Sequence, residues 1–75
     1  MSGVRMYSAR AVLPVESPDR AVGVLRANLQ QQLAKGEIAD WDTLHVIGPT
    51  ESVDLRGHTW FEYRARVRAR WPQRP

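Results

Sequence analysis

The sequence predicts a small α+β domain, in which a three-stranded antiparallel sheet packs on one helix in the order β-α-β-β. One observation is an apolar stripe with helical spacing within residues 18–35. Another is the alternation of apolar residues and arginines in the last third of the chain, which is typical of a strand with two different faces. A chain of 75 residues has room for one domain, so we expect a single domain over residues 1–75, with a short tail at 72–75.

The composition excludes several kinds of stabilising site and predicts an oligomeric protein. The chain has no cysteine and two histidines, which excludes disulfides and leaves too few ligands for a zinc site. A domain of this size buries only a thin core, so we expect it to assemble as a homo-oligomer. Apolar runs fall short of the roughly 20 residues that cross a bilayer, and the first residues lack a signal-peptide core, so we expect no membrane partner and a cytoplasmic location.

Residues 4–13 predict an edge strand, because the segment is rich in Val, Tyr and Ala and is followed by Pro14, which disfavours a helix. The helix is predicted over residues 18–35. Ser17 is its expected N-cap, Pro18 suits the first helical position, and Gly36 is its expected C-terminal cap. The stripe that should face the core consists of Val22, Leu25, Leu29 and Leu33. Ile38 is expected to fold back on the end of the helix.

The last two strands are predicted to pair as an antiparallel hairpin. Residues 42–48 predict a short second strand, which Gly48 and Pro49 end. Residues 49–57 predict a loop, and residues 58–71 the third strand, stopped by Pro72.

The third strand should have one apolar and one charged face, because side chains alternate across a strand. The face expected to pack on the helix contains Phe61, Tyr63, Ala65, Val67, Ala69 and Trp71. The opposite face contains Trp60, Glu62, Arg64, Arg66, Arg68 and Arg70. Guanidinium groups bind phosphates and carboxylates well, so this second face should meet anions.

Three interpretations of the charged face remain open. In the first, it is a solvated surface whose arginines pair with nearby acids. In the second, it binds nucleic acid, with the arginines on phosphates and Trp60 stacked on a base. In the third, it is an interface with an acidic surface of another chain. The sequence has neither a glycine-rich phosphate loop nor the context of a catalytic triad, and we expect no enzyme and no metal site.

Two short motifs stand at the start of predicted elements: Ser17-Pro18-Asp19 at the start of the helix and Asp40-Trp41 just before the second strand. In both motifs the chain resembles the dodecins, small flavin-binding proteins of bacteria and archaea. The closing segment WFEYRARVRARW resembles the third strand, with Glu62 at a position where dodecins have Gln.

The resemblance implies a non-enzymatic protein that stores flavin in a hollow dodecamer. By residue correspondence, Trp41 would stack on the flavin ring and Glu62 would contact the ring edge. The implied ligand is FMN, FAD or riboflavin. A small basic nucleic-acid-binding module, such as a phage or mobile element encodes, is the alternative, and a structural or partner-binding subunit is a third.

Overall fold

The computed structural model describes residues 4–72 and confirms the predicted α+β fold class. The elements are β1 (Val4–Leu13), α1 (Pro18–Gln32), β2 (Ile38–Val53) and β3 (Thr59–Arg70). The three strands form one antiparallel sheet in the order β1-β3-β2, so the strand with the arginines is central and β1 is an edge strand, as predicted. Apart from Pro72, the predicted tail lies outside the described residues.

The helix begins where the sequence predicts but ends earlier. The Ser17 side chain accepts a hydrogen bond from the Arg20 N–H at 3.4 Å, and Pro18 is the first helical residue. The prediction that Gly36 caps the helix is wrong, because the helix ends at Gln32 and the next residue is already extended. Gly36 instead occupies the turn after the helix, with a φ of +86° that favours glycine.

The core lies between α1 and the sheet and confirms the predicted apolar face of β3 from Phe61 to Ala69, whereas Trp71 lies beyond the end of the strand and is 37% exposed. The side chains that are at most 4% exposed in this core are Ala11, Ala21, Leu25, Leu29, Tyr63, Ala65 and Val67. The helical stripe differs from the prediction at its ends, because Ala21 is buried while Val22 and Leu33 are only half-buried. The small side chains on β1 and β3 allow the helix to lie close to the sheet.

Strand β2 is much longer than the predicted residues 42–48. It runs from Ile38 to Val53, so the predicted loop over 49–57 is wrong for its first half. Two irregularities in the pairing with β3 account for the difference, one between Asp40 and His45 and one between Ile47 and Thr50. Such bulges let extra residues enter a strand without ending it. Ile38 is 52% exposed at the start of β2, so the prediction that it covers the helix end is also wrong.

Asp54 organises the turn between β2 and β3. One carboxylate oxygen, Oδ1, accepts the backbone N–H groups of Arg56 and His58, both at 2.9 Å. The other, Oδ2, accepts the indole N–H of Trp60 at 2.9 Å. The bond from Trp60, followed by that from the His58 N–H, lowers the pKa of Asp54 below its ordinary value.

The β2–β3 hairpin extends beyond the helix and makes the molecule long. All residues from 47 to 58 are exposed, and the molecule measures 55 × 19 × 16 Å. Its radius of gyration is 14.9 Å, compared with about 11 Å for a compact domain of this length. The exposed apolar residues of this extension are Ile47, Val53 and Leu55.

A buried carboxylate links β1 to the turn after the helix. Glu37 is 6% exposed, and its Oε1 accepts the Tyr7 hydroxyl at 2.6 Å and the Ala34 N–H at 3.0 Å. The bond from Tyr7, and then that from Ala34, lowers the pKa of Glu37. Because the folded pKa lies below the unfolded one, the stabilisation is present above the unfolded pKa and is lost as pH falls through the folded pKa.

We therefore expect the free energy of unfolding to fall as the pH drops below about 4.3, the ordinary pKa of glutamate. Urea unfolding of the wild type and of Glu37→Gln should differ in slope between about pH 5 and pH 3. The variant should lose the part of the pH dependence that Glu37 supplies and keep the part that Asp54 supplies. Identical slopes for the two proteins would contradict this assignment.

Candidate functional site

The charged side of the sheet, opposite α1, is the candidate site and is called the open face below. Antiparallel partners have their side chains on the same face, so the register defines its members. From β3 these are Trp60, Glu62, Arg64, Arg66, Arg68 and Arg70; from β1 Val4, Met6, Ser8, Arg10 and Val12; and from β2 Ile38, Asp40, His45, Ile47, Thr50 and Ser52. The open face thus has a cationic centre with apolar residues at its margins.

Glu62 lies between two arginines at one end of this face. Arg64 Nε donates to Glu62 Oε2 at 2.7 Å, and Arg10 Nη1 is 3.8 Å from Glu62 Oε1. Arg10 and Arg64 are direct cross-strand partners, a like-charged pair that would be unfavourable without the carboxylate. Their side chains are 70% and 65% exposed, while that of Glu62 is 23% exposed. Both guanidinium groups therefore keep N–H donors available to solvent.

Two open clefts cross the face next to this cluster. The first, of about 580 Å³, includes Arg10, Arg64 and Ile47 in its lining. The second, of about 610 Å³, includes Met6, Thr43 and Arg68. Both are lined by His45 and Arg66, so these two side chains lie where the clefts meet.

The remaining arginines of β3 are not neutralised within the described part of the chain. Among residues 4–72, Arg66, Arg68 and Arg70 form no salt bridge, although Asp40 is the cross-strand partner of Arg68. The simplest interpretation, that nearby acids pair with the whole row, therefore holds for Arg64 and not for the other three. Three exposed guanidinium groups remain available to an anion.

Trp41 lies on the other side of the sheet from Glu62. It is half-buried against the core, and the Arg26 guanidinium stands 4.7 Å from its ring centroid, in a cation–π contact. Its neighbour Asp40 pairs with Arg68, six residues along β3 from Glu62. One chain therefore does not bring Trp41 and Glu62 into a common site.

Trp60 is the second residue of β3, opposite Ser52 and beside the hairpin turn. Its indole N–H is taken up by Asp54, and its side chain is half-buried. The sequence analysis did not identify Ser8, Arg10 and His45 as site residues. Ser8 and Arg10 lie on β1 and His45 lies on β2, so they meet β3 only through the strand register, which the sequence does not reveal.

Other classes of site receive no support from the described residues. Within residues 4–72, no group of three or more His, Asp or Glu side chains is placed to hold a metal ion. In the same part of the chain, no helix has the length and hydrophobicity needed to cross a membrane. Comparisons with protein-family models, curated proteins and solved structures found no match for this chain.

Proposed function

We propose that this protein binds and stores a flavin-type ligand without catalysis, as a homo-oligomer in the cytoplasm. The observation that carries the proposal is the arrangement of Glu62 between Arg10 and Arg64 on the open face. A carboxylate only accepts hydrogen bonds, whereas guanidinium groups only donate them. The cluster therefore presents the Glu62 carboxylate as a hydrogen-bond acceptor, with the donor groups of Arg10 and Arg64 on either side of it.

The pyrimidine edge of a flavin ring has the complementary pattern. It carries an N–H group between two carbonyl groups, which read as an acceptor, a donor and an acceptor. Glu62 would accept the ring N–H, and Arg10 and Arg64 would donate to the carbonyl groups on either side. Ile47 lines one cleft together with Arg10 and Arg64, and its apolar side chain suits a planar ring.

Trp41 would supply the stacking surface from a neighbouring chain. The planar guanidinium of Arg26 already packs on one face of the Trp41 ring. A ligand ring would take the place of this guanidinium. β2 is an edge strand, so a side chain on either of its faces is close to the border of the sheet. The long shape of the monomer and its exposed Ile47, Val53 and Leu55 support assembly into a homo-oligomer. The resemblance to dodecins extends the proposal to a dodecamer.

Flavin fluorescence provides the test, because a ring stacked on tryptophan is quenched. We expect Trp41→Ala to weaken flavin binding by about tenfold or more, since stacking on an aromatic side chain is worth about 1–3 kcal/mol. Glu62→Ala should weaken it as well, by removing the acceptor for the ring N–H. Both variants should be titrated with riboflavin and with FMN beside the wild type.

Trp60→Ala is the matched control, because Asp54 already binds the indole N–H of this tryptophan beside the hairpin turn. Its affinity for flavin should equal that of the wild type. If Trp41→Ala bound flavin as tightly as the wild type, the stacking role would be wrong. If the wild type itself bound no flavin, the proposed function would be wrong.

Binding of single-stranded nucleic acid is the second candidate. It is favoured by Arg66, Arg68 and Arg70, which form no salt bridge with any residue from 4 to 72. Phosphate contacts release counterions, so such binding should weaken steeply as salt is added. In this case Trp60→Ala, and not Trp41→Ala, should weaken the complex. A protein that bound neither flavin nor nucleic acid would leave a structural or partner-binding role for the open face.

A further inference from the structure

We infer that Arg66, His45 and Ser8 form a phosphate-binding site on the open face, and that the protein selects phosphorylated flavins over riboflavin. This inference rests on the proposed function and adds the chemical class of the ligand. The site consists of one residue from each strand, joined by the register of the sheet, in which Arg66 has Ser8 on one side and His45 on the other.

The neighbours of Arg66 distinguish it from the other arginines of the row. Its two cross-strand partners both carry hydrogen-bonding groups, a hydroxyl and an imidazole. Arg70 has Val4 and Ile38 in the corresponding positions. Arg68 has Met6 and the carboxylate Asp40 in these positions. Within the described part of β3, Arg66 is therefore the one arginine without a salt bridge that has two neighbours able to bind an oxyanion.

The charge of the first cleft favours an anion. Its lining includes Arg10, Arg64 and Arg66, and among residues 4–72 Glu62 is the one carboxylate that forms a salt bridge with any of them. Successive side chains on one face of a strand stand about 7 Å apart, so these positive charges repel each other at short range. A phosphate beside Arg66 would reduce this repulsion, and its oxygens match the planar fork of a guanidinium.

The position of Arg66 suits the tail of a ligand whose ring edge lies at Glu62. The two residues are four positions apart on β3, which corresponds to about 13 Å along the strand. Arg64 and Ile47 line the cleft between these two points. One ligand can therefore present its ring edge to Glu62 and its phosphate to Arg66 and His45.

FMN and riboflavin provide a direct test, because they share the ring and the ribityl chain and differ by one phosphate. At low salt the wild type should bind FMN roughly tenfold or more tightly than riboflavin, the range expected for a charged hydrogen-bonding pair. Arg66→Ala should remove this preference and leave the affinity for riboflavin within about twofold of the wild type. Arg70→Ala, which removes the same charge outside both clefts, should keep the preference.

The outcomes separate this inference from the proposed function. Equal affinity of the wild type for FMN and riboflavin would overturn the phosphate site while leaving flavin binding in place. An equal loss of preference in Arg66→Ala and Arg70→Ala would also overturn it, because it would indicate a diffuse charge effect.

If neither flavin bound, the proposed function would fail, and inorganic pyrophosphate would test the site alone. Resonance shifts in a nitrogen–proton NMR spectrum that were confined to Arg66, His45 and Ser8 would support the site. The absence of shifts, or equal shifts at Arg70, would overturn it.

Discussion

The Gly48→Ala variant is expected to be less stable than the wild type by about 2–4 kcal/mol, from backbone strain and steric overlap together. Gly48 has a φ of +116°, which side-chain-bearing residues rarely adopt. A Cβ atom added there would lie 2.7 Å from the carbonyl oxygen of Glu62 and 3.2 Å from Cα of Tyr63. Both are backbone atoms of the central strand, so relief of the overlap requires β2 to move away from β3.

Substitutions at two other glycines separate the contribution of backbone strain from that of steric overlap. Gly57 has a φ of +85° but no atom within 4 Å of an added Cβ, so Gly57→Ala should cost only the strain of about 1–2 kcal/mol. Gly23 is an exposed helical residue, and a Cβ added there also has no atom within 4 Å. Because glycine destabilises a helix relative to alanine, Gly23→Ala should stabilise the protein by about 0.5–1 kcal/mol. Urea unfolding of the three variants measures these differences. Equal losses for Gly48→Ala and Gly57→Ala would contradict the close approach of the two strands.

Tyr63→Ala is expected to destabilise the protein by about 3–5 kcal/mol, the usual loss for a large aromatic side chain removed from a core. Tyr63 is 1% exposed and is one of the largest fully buried side chains. It stands between Glu62 and Arg64 in sequence and points to the helix side. Its burial therefore holds these two neighbours on the open face, and the loss of stability should be accompanied by loss of the proposed flavin binding.

Tyr63→Phe is the matched variant, and it should raise the stability that Tyr63→Ala lowers. The Tyr63 hydroxyl is buried and has no hydrogen-bond partner among the described residues 4–72. Because a buried unsatisfied polar group costs about 1–3 kcal/mol, Tyr63→Phe should stabilise the protein by about 1 kcal/mol and leave the proposed flavin binding unchanged. Thermal unfolding of the two variants gives the comparison. A destabilised Tyr63→Phe would mean that the hydroxyl has a partner.

The parts of the fold that could be predicted are those set by local sequence. Strand β1 has the predicted bounds, and α1 begins at Pro18 after its Ser17 cap, because these signals lie within a few residues of each other. The end of α1 depends on the turn after it. That turn is closed by Glu37, whose partner Tyr7 is 30 residues away along the chain. Such a contact leaves no local signature.

Only part of the candidate site could be predicted, because some of its residues are brought together by contacts between distant parts of the chain. The alternation of β3 was sufficient to place Glu62 and Arg64 on one face. Arg10 and His45 join them only through the register of three strands. The period of two fails in β2, where the irregularity after Asp40 breaks the register. The side of the sheet on which Trp41 lies could therefore not be deduced from sequence.

An absorbance spectrum recorded across the size-exclusion peak, with the mass measured by light scattering, tests the central claim most directly. Purified protein, before and after addition of FMN, should elute as an assembly of many chains that carries flavin bands. A colourless monomer that takes up no FMN would contradict the account. A peak with excess nucleic-acid absorbance would also contradict it, and would assign Arg66, Arg68 and Arg70 to a phosphate backbone.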